Sequence, residues 1–418
     1  MTVRSFLAFV GLCVLVSGCS APSATHVLRV ANWGGAGDDS EFSRTVHSLI
    51  REFESQNPGI EVQIEGTPGS QEYVSKMLLS FIAGSEPDIM TLDASSAAVF
   101  INNGVLKDLT PLMTSDSSFK KEDYFPNVLD IARRGDSYYA VPIDFTPMVM
   151  YYNKRLFDEA GVPYPRPGWS FDDFREKAKR LTQGKTYGFT FSNWMPGWLM
   201  WLWNQNGDVL DPTGKRAKGC FDSDESVRAV DFIKKVLLDD KSAPNLSQAA
   251  SMGVDMFATG QAAMEVSGHW AMVGYGISKD LKLEDVGVVE LPTNLGKSAT
   301  VMYEAGYAIG KNCKKADLAW KFIKFMTSHD AELKLCHSGI AVSARKDVCA
   351  ERAVDEHEKA FLAIIPSARA PWGSKVEGYD FVESTGQKMM DNVLKSGMPV
   401  DRALREACSA IDEELSRK

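Results

Sequence analysis

The sequence predicts an α/β protein with more than one core, on three observations. Strand-like and helix-like segments alternate with short connections from residue 27 onward, the pattern of a sheet covered by helices on both faces. The 418 residues are long enough for more than one core, with an ordinary 44% hydrophobic and 24% charged composition. About one third of the way along, residues 141–161, VPIDFTPMVMYYNKRLFDEAG, mark where one αβ segment ends and another begins. Within that stretch the apolar run 148–152 is too short for a typical globular helix. Bounded by Pro142, Pro147 and the polar pair Asn153-Lys154, it reads as a buried strand with a proline-stiffened approach. A short helix over 155–160 follows and stops at Gly161.

The elements follow in order. Residues 27–32 read as a strand, and a Gly-rich turn, 34–37, leads to a helix over 40–56 that Asp38 and Asp39 can cap. Its apolar positions Phe42, Val46, Leu49, Ile50 and Phe53 share one face. Ile60, Val62 and Ile64 alternate with Glu61, Gln63 and Glu65, a half-exposed strand. A helix over 73–81, a buried strand over 88–92 and a helix over 95–102 complete a parallel-sheet pattern. Ligands on such sheets sit at the carboxyl ends of the strands, which selects the loops 33–39, 67–71 and 93–96. Residues 134–140 read as a turn into an edge strand. Ser170 caps a helix, 187–189 is strand-like, and 194–203, WMPGWLMWLW, packs four tryptophans into ten residues. Helices are expected over 223–238, 252–259 and 315–327, and strands over 262–266, 286–291 and 303–309. Beyond residue 350 the chain reads as mostly helical. There is no internal repeat.

A net charge of −9 argues against a nucleic-acid partner, which would need a basic footprint. Arg4 followed by an apolar stretch, 6–16, and then Val16-Ser17-Gly18-Cys19 has the form of a signal peptide over 1–18 ending at a lipobox. Cys19 is then the lipidated first mature residue and 19–26 a polar tether; the competing reading is an ordinary signal peptide with a chance cysteine. No other apolar stretch is long enough to span a membrane. Five further cysteines, 220, 313, 336, 349 and 408, leave at least one thiol unpaired and permit up to two bridges, with pairing open.

Motifs spread over nearly the whole mature chain resemble the family 1 extracellular solute-binding proteins of ABC importers, the group containing the maltose-binding branch. They are Ser85-Glu86-Pro87-Asp88-Ile89, Gly104-Val105-Leu106-Lys107-Asp108-Leu109, Tyr151-Tyr152-Asn153-Lys154-Arg155-Leu156-Phe157 with Ala160-Gly161, and Trp169-Ser170-Phe171-Asp172-Asp173-Phe174. The stretch 257–264 with Gly268-His269-Trp270, and Ala319-Trp320-Lys321-Phe322-Ile323, complete the set. One departure is Ser338-Gly339-Ile340-Ala341-Val342, where many relatives have a proline after the glycine. The resemblance implies a two-lobed periplasmic-binding-protein fold of type II, each lobe a mainly parallel sheet flanked by helices, with a helical C-terminal region. It divides the chain into 27–143 with 305–340 in one lobe and 144–304 with 341–418 in the other. It implies no catalysis and no cofactor. Its partners are a small-molecule carbohydrate and the transmembrane subunits of an ABC permease, and the protein is expected to be a monomer held to the membrane by its lipid, facing the periplasm or cell exterior.

Sugar recognition asks for aromatic faces against C–H surfaces and for carboxylates or amides against hydroxyls. Nine tryptophans are available. Trp33 and Gly34 follow the first strand, and Ser70 lies in the second selected loop. Trp33 reads equally as a core residue at the sheet edge. Asp93 ends the third strand and alternatively caps the helix after it. Asp144 sits at the expected crossing between lobes, where the family often has an acidic contact. Trp194 and Trp198 come from the tryptophan cluster, of which at most two members are expected to reach ligand. Trp270 matches a position that stacks on ligand in the maltose-binding branch, and Trp372 falls near another aromatic of the family. Tyr303 and Glu304 lie at the second crossing; a hinge salt bridge is the competing role for Glu304. The selected loops carry no Arg or Lys, which points from anionic solutes toward neutral carbohydrate.

Other classes remain as alternatives. A polyol or glycerol-phosphate type of solute, or a sensor or adhesin lipoprotein outside transport, fits the same motifs. Ser343-Ala344-Arg345-Lys346 matches S-x-x-K but lacks the partner motifs of a serine acyl-transferase. The glycines of 35–40 lack the last Gly of a dinucleotide loop. The six histidines are scattered with no metal-binding spacing.

Overall fold

A computed structural model describes residues 26–33, 40–67, 70–247 and 255–417. Its strands are β1 (His26–Trp33), β2 (Ile60–Thr67), β3 (Ile89–Asp93), β4 (Arg133–Arg134), β5 (Ser137–Tyr138), β6 (Val141–Pro147), β7 (Val149–Asn153), β8 (Met264–Ser267), β9 (Val286–Val289), β10 (Thr300–Ile309), β11 (Val342–Ser343) and β12 (Ala368–Arg369). The first sheet runs β11-β6-β10-β3-β1-β2, with β12 beside β10, and the second runs β8-β7-β9. Helices cover both, as the alternation of elements requires, so the α/β class holds.

The strand directions differ from a mainly parallel arrangement. β1 pairs in parallel with β2 and β3, whereas β10 is antiparallel to both β3 and β6. In the second sheet both pairs of β7 are antiparallel, with parallel bridges only at Tyr187 and Thr190. The cause is the chain path. β6 leaves the first sheet straight into β7, and β10 comes back beside β6, so the returning strand opposes the outgoing one. Residues 342–343 add β11 against Asp144 and Phe145 of β6, at the crossing itself.

The short apolar run is β7, and its alternation is used on both faces. Val149 and Tyr151 join a core with Phe257, Tyr275 and Phe361, while Met148 and Met150 join another with Phe174, Trp198 and Trp201. A strand buried on both faces needs an unbroken apolar run, which is what made this stretch visible in the sequence.

The helix Glu41–Gln56 is capped by Ser40, whose Oγ accepts from the Ser43 amide at 3.1 Å. The expected caps Asp38 and Asp39 lie outside the described residues, as do Cys19, Gly34, the signal segment and part of the helix expected over 252–259; residues 256–260 of that helix form turns. Ser170 caps Phe171–Leu181 with a reciprocal bond from Asp173. The cysteines at 220, 313, 336, 349 and 408 all carry free thiols. Among the described residues no helix is long and apolar enough to cross a membrane, and no group of side chains could hold a metal ion.

Candidate ligand-binding site

β6 and β10 together carry the chain between the two sheets, and their pairing is irregular at one point. Tyr307 pairs with Val141 and Gly306 with Pro142, but Ala305 pairs with Asp144, so Ile143 is an extra residue. Such a bulge bends the strand and re-aims the side chain beside it. Here that side chain is Asp144. On the other side of β10, Ala305 also pairs with Asp93, the last residue of β3. Two carboxyls therefore flank one alanine.

Asp93 accepts from the Ser95 amide at 2.8 Å and from the Ser95 hydroxyl. These bonds close a turn ahead of the helix Ala97–Asn102, whose N-cap is Ser96, so the expected capping role is not made and the carboxyl stays in the cluster. Burial raises the Asp93 carboxyl above its ordinary range. Asp144 is pushed up to about 7, first by burial and then by Asp93, with the Ala305 amide pulling the other way. Glu304 is 3% exposed, and its Oε2 has no partner. Burial, then Asp93 and Asp144, hold it well above the carboxylate range. Gly306 makes room for it: a β-carbon at 306 would stand 2.6 Å from Glu304 Oε1 and 2.9 Å from the Val141 carbonyl. No hinge ion pair forms at Glu304.

Aromatic rings close a second side. Trp194 stacks on Tyr303 with centroids 6.2 Å apart at 27°, and meets Trp270 edge-on at 6.3 Å and 72°. Trp194 is 40% exposed, so this face is open to a solute. Its position follows from Pro196, which sits in the first turn of Met195–Trp203 and leaves Trp194 as the extended residue before the helix. The Trp270 ring lies over Gly268. The Tyr303 hydroxyl is buried without a partner.

The helix Tyr379–Leu394 supplies a residue that sequence reasoning missed. Asn193 donates from Nδ2 to the Gln387 carbonyl at 2.8 Å, which holds that helix beside Trp194. One turn earlier is Glu383, pushed up to about 8 by burial and then by Asp93 and Asp380. Glu383 and Asp93 in turn act on the Tyr303 hydroxyl. Asp93 thus lies within electrostatic reach of Asp144, Glu304, Glu383 and Tyr303, and links the cluster. An acidic residue in an amphipathic helix has no local mark that separates it from a solvated one, so Glu383 was not legible.

The remaining expected residues fall as follows. Trp33 is half-buried at the end of β1 and packs edge-on against Tyr73 at 5.8 Å. Ser70 begins the helix Ser70–Ile82. Trp198 belongs to the core. It is 0% exposed and donates from Nε1 to Asn193 Oδ1 at 3.1 Å, so it presents no face to a solute. It reads as a site residue in the sequence because four tryptophans stand together, but the helix turns three of them inward. Trp372 donates from Nε1 to Asp208 Oδ1 at 2.8 Å and lies beside a concavity of about 410 Å³ lined by Gly207, Asp208 and Cys220.

The arrangement offers rings on one side and carboxyls on the other. Ser343 bonds to the buried Glu332, not to Lys346, so the S-x-x-K motif is not assembled.

Residues 37–333 match the model of the family described as bacterial extracellular solute-binding protein. A binding protein of Brucella abortus (strain 2308), BAB2_0491, is 23% identical over 439 residues, covering 100% of both chains. Among solved structures, the ABC substrate-binding protein Lmo0181 from Listeria monocytogenes, in complex with cycloalternan, superposes with a TM-score of 0.82 at 22% identity, over 94% of this chain and 99% of that one. UgpB from Mycobacterium tuberculosis, in complex with glycerophosphocholine, gives 0.78 at 20% identity over 93% and 98%.

Proposed function

Because the chain belongs to the bacterial extracellular solute-binding protein family, we propose that it is the carbohydrate receptor of an ABC importer. It captures a sugar or oligosaccharide between its two lobes and delivers it to a membrane permease, without catalysis. The observation that carries this reading is the open aromatic face of Trp194, Trp270 and Tyr303 set against carboxyls on the strands that join the lobes. Rings cover the C–H faces of a pyranose, and protonated or ionised carboxyls bond its hydroxyls. Trp33, Gly34, Ser70 and Trp372 complete the proposed contacts. The lobes divide as 27–143 with 305–340, and 144–304 with 341–418, the crossing strands belonging in part to each.

Lipidation at Cys19 after removal of 1–18 tethers the receptor, as a monomer, to the membrane; the lipobox spacing supports it. Binding selects the closed state, since a solute touching both lobes adds affinity only there.

A second reading, a glycerophosphodiester solute, is favoured by the likeness to UgpB. The absence of Arg and Lys from the loops 33–39, 67–71 and 93–96 disfavours it, because a phosphate wants a cation or a helix N-terminus. A thermal-shift screen of residues 20–418 against sugars, polyols and sugar phosphates separates the readings. Ligand at a hundredfold its dissociation constant adds about 2.7 kcal/mol. A shift with phosphates alone contradicts the carbohydrate reading.

A further inference from the structure

We infer that the solute held in this cleft carries a positively charged amine, seated where the rings of Trp194, Trp270 and Tyr303 meet the carboxyls of Asp93 and Glu383. The inference rests on the solute-binding reading of the cleft and names a class of solute within it.

The first observation is the ring geometry. Trp194 has two ring neighbours, Tyr303 nearly parallel at 6.2 Å and Trp270 edge-on at 6.3 Å. Such a corner attracts a cation through the negative faces of its rings, and Trp gives the strongest such face. A neutral pyranose can use the same rings and carboxyls, but only a cation also draws on the negative ring faces.

The second observation is the charge around that corner. The charged side chains that act on Asp93's neighbours are other carboxyls: Asp93 and Asp144 on Glu304, Asp93 on Asp144, and Asp93 with Asp380 on Glu383. The loops at the strand ends add no Arg or Lys. Buried carboxyls ordinarily find a counter-charge in the protein. Here burial and neighbouring carboxyls hold them protonated instead, and a cationic solute supplies the counter-charge against which they can ionise.

The third observation is independent of the acids' charge. Tyr379, 2% exposed, leaves its hydroxyl without a partner, and the hydroxyl of Tyr303 and Oε2 of Glu304 are likewise unbonded. Glu383 lies within electrostatic reach of both tyrosine hydroxyls. Unbonded buried polar groups are costly unless something completes them. An ammonium offers up to three donors in one small group, which matches acceptors converging from two lobes.

The test is isothermal titration of residues 20–418 with matched saccharides: neutral mono- and disaccharides, their aminodeoxy counterparts, and the N-acetylated forms, which keep the nitrogen and lose the charge. At pH 6.5 the aminodeoxy member of at least one pair should bind about tenfold or more tightly than both uncharged forms, the scale of a desolvated cation on an aromatic face. Glu383→Gln, which keeps the shape, should erase most of that preference. Neutral sugars binding as well as or better than every amine overturns the inference and leaves the carbohydrate reading standing. Binding by no saccharide of any kind overturns both. Amine preference unchanged in Glu383→Gln overturns the placement of the cation at this corner.

Discussion

Gly373 lies against the backbone of Ser95 so closely that a β-carbon on residue 373 would stand 2.0 Å from the Ser95 carbonyl oxygen. Ser95 follows β3 in the first sheet, and Gly373 follows Trp372, which packs on the core of the second. Arg134 donates to the Ser374 carbonyl in the same seam, and Asn102 Nδ2 donates to Glu377 Oε2 at 3.4 Å. The segments that follow β3 and Trp372 therefore touch here. A side chain at 373 would keep them apart and leave each core untouched.

Gly373→Ala should weaken solute binding, because the closed state gains its affinity from contacts to both lobes. Its melting temperature without solute should stay within about 1 °C of the parent, since a change that touches no core is nearly neutral. Small-angle scattering with and without solute checks the cause: the compaction on binding should shrink in the variant.

Gly306→Ala should act differently. The new methyl would press on Glu304 Oε1 and on the Val141 carbonyl, and the backbone cannot swing aside. A loss of about 1–3 kcal/mol of stability is expected for such overpacking. Urea denaturation measures it, and an unchanged midpoint would mean that the β6–β10 crossing yields more easily than its packing suggests.

Trp194→Ala and Trp198→Ala separate site from core. Trp198 is fully buried, so its truncation should cost about 3–5 kcal/mol. Trp194 is 40% exposed, and its loss should lower affinity while stability changes little. Parallel denaturation and titration of the two proteins distinguish the effects.

Stability without solute should fall as pH rises. Asp144 moves from 3.8 to about 7, Glu383 from 4.5 to about 8, and Glu265, buried beneath the Tyr275 hydroxyl, from 4.5 to about 8. Each folded value lies above the unfolded one, so folding takes up protons between them. Their contribution is fully present below about pH 4 and is lost as pH passes through 7 to 8. Glu383→Gln should flatten the decline of melting temperature between pH 5 and 9; an unaltered slope would mean that Glu383 is ionised in the folded protein.

The fold was legible where one physical demand left one pattern. The run 148–152 had to be apolar because both faces of β7 are buried, and Ser170 with Asp173 marked a helix start whose capping bonds are both made. Strand direction was not legible, since β10 bears no local mark of which neighbour it opposes. In the site, Trp270 was readable from its match to a stacking position of the maltose-binding branch, and Tyr303 from its place at the expected second crossing. Trp198 was misleading, because a tryptophan looks alike in the sequence whether a helix turns it inward or outward. Glu383 was hidden because its partner, Asp93, is far away in the chain.

The central claim is that the rings at the crossing bind solute. Titration of Trp270→Ala with the saccharide that stabilises the parent protein tests it most directly. The account predicts that binding falls below detection while circular dichroism and the solute-free melting temperature stay as in the parent. Unchanged affinity in that variant would contradict it.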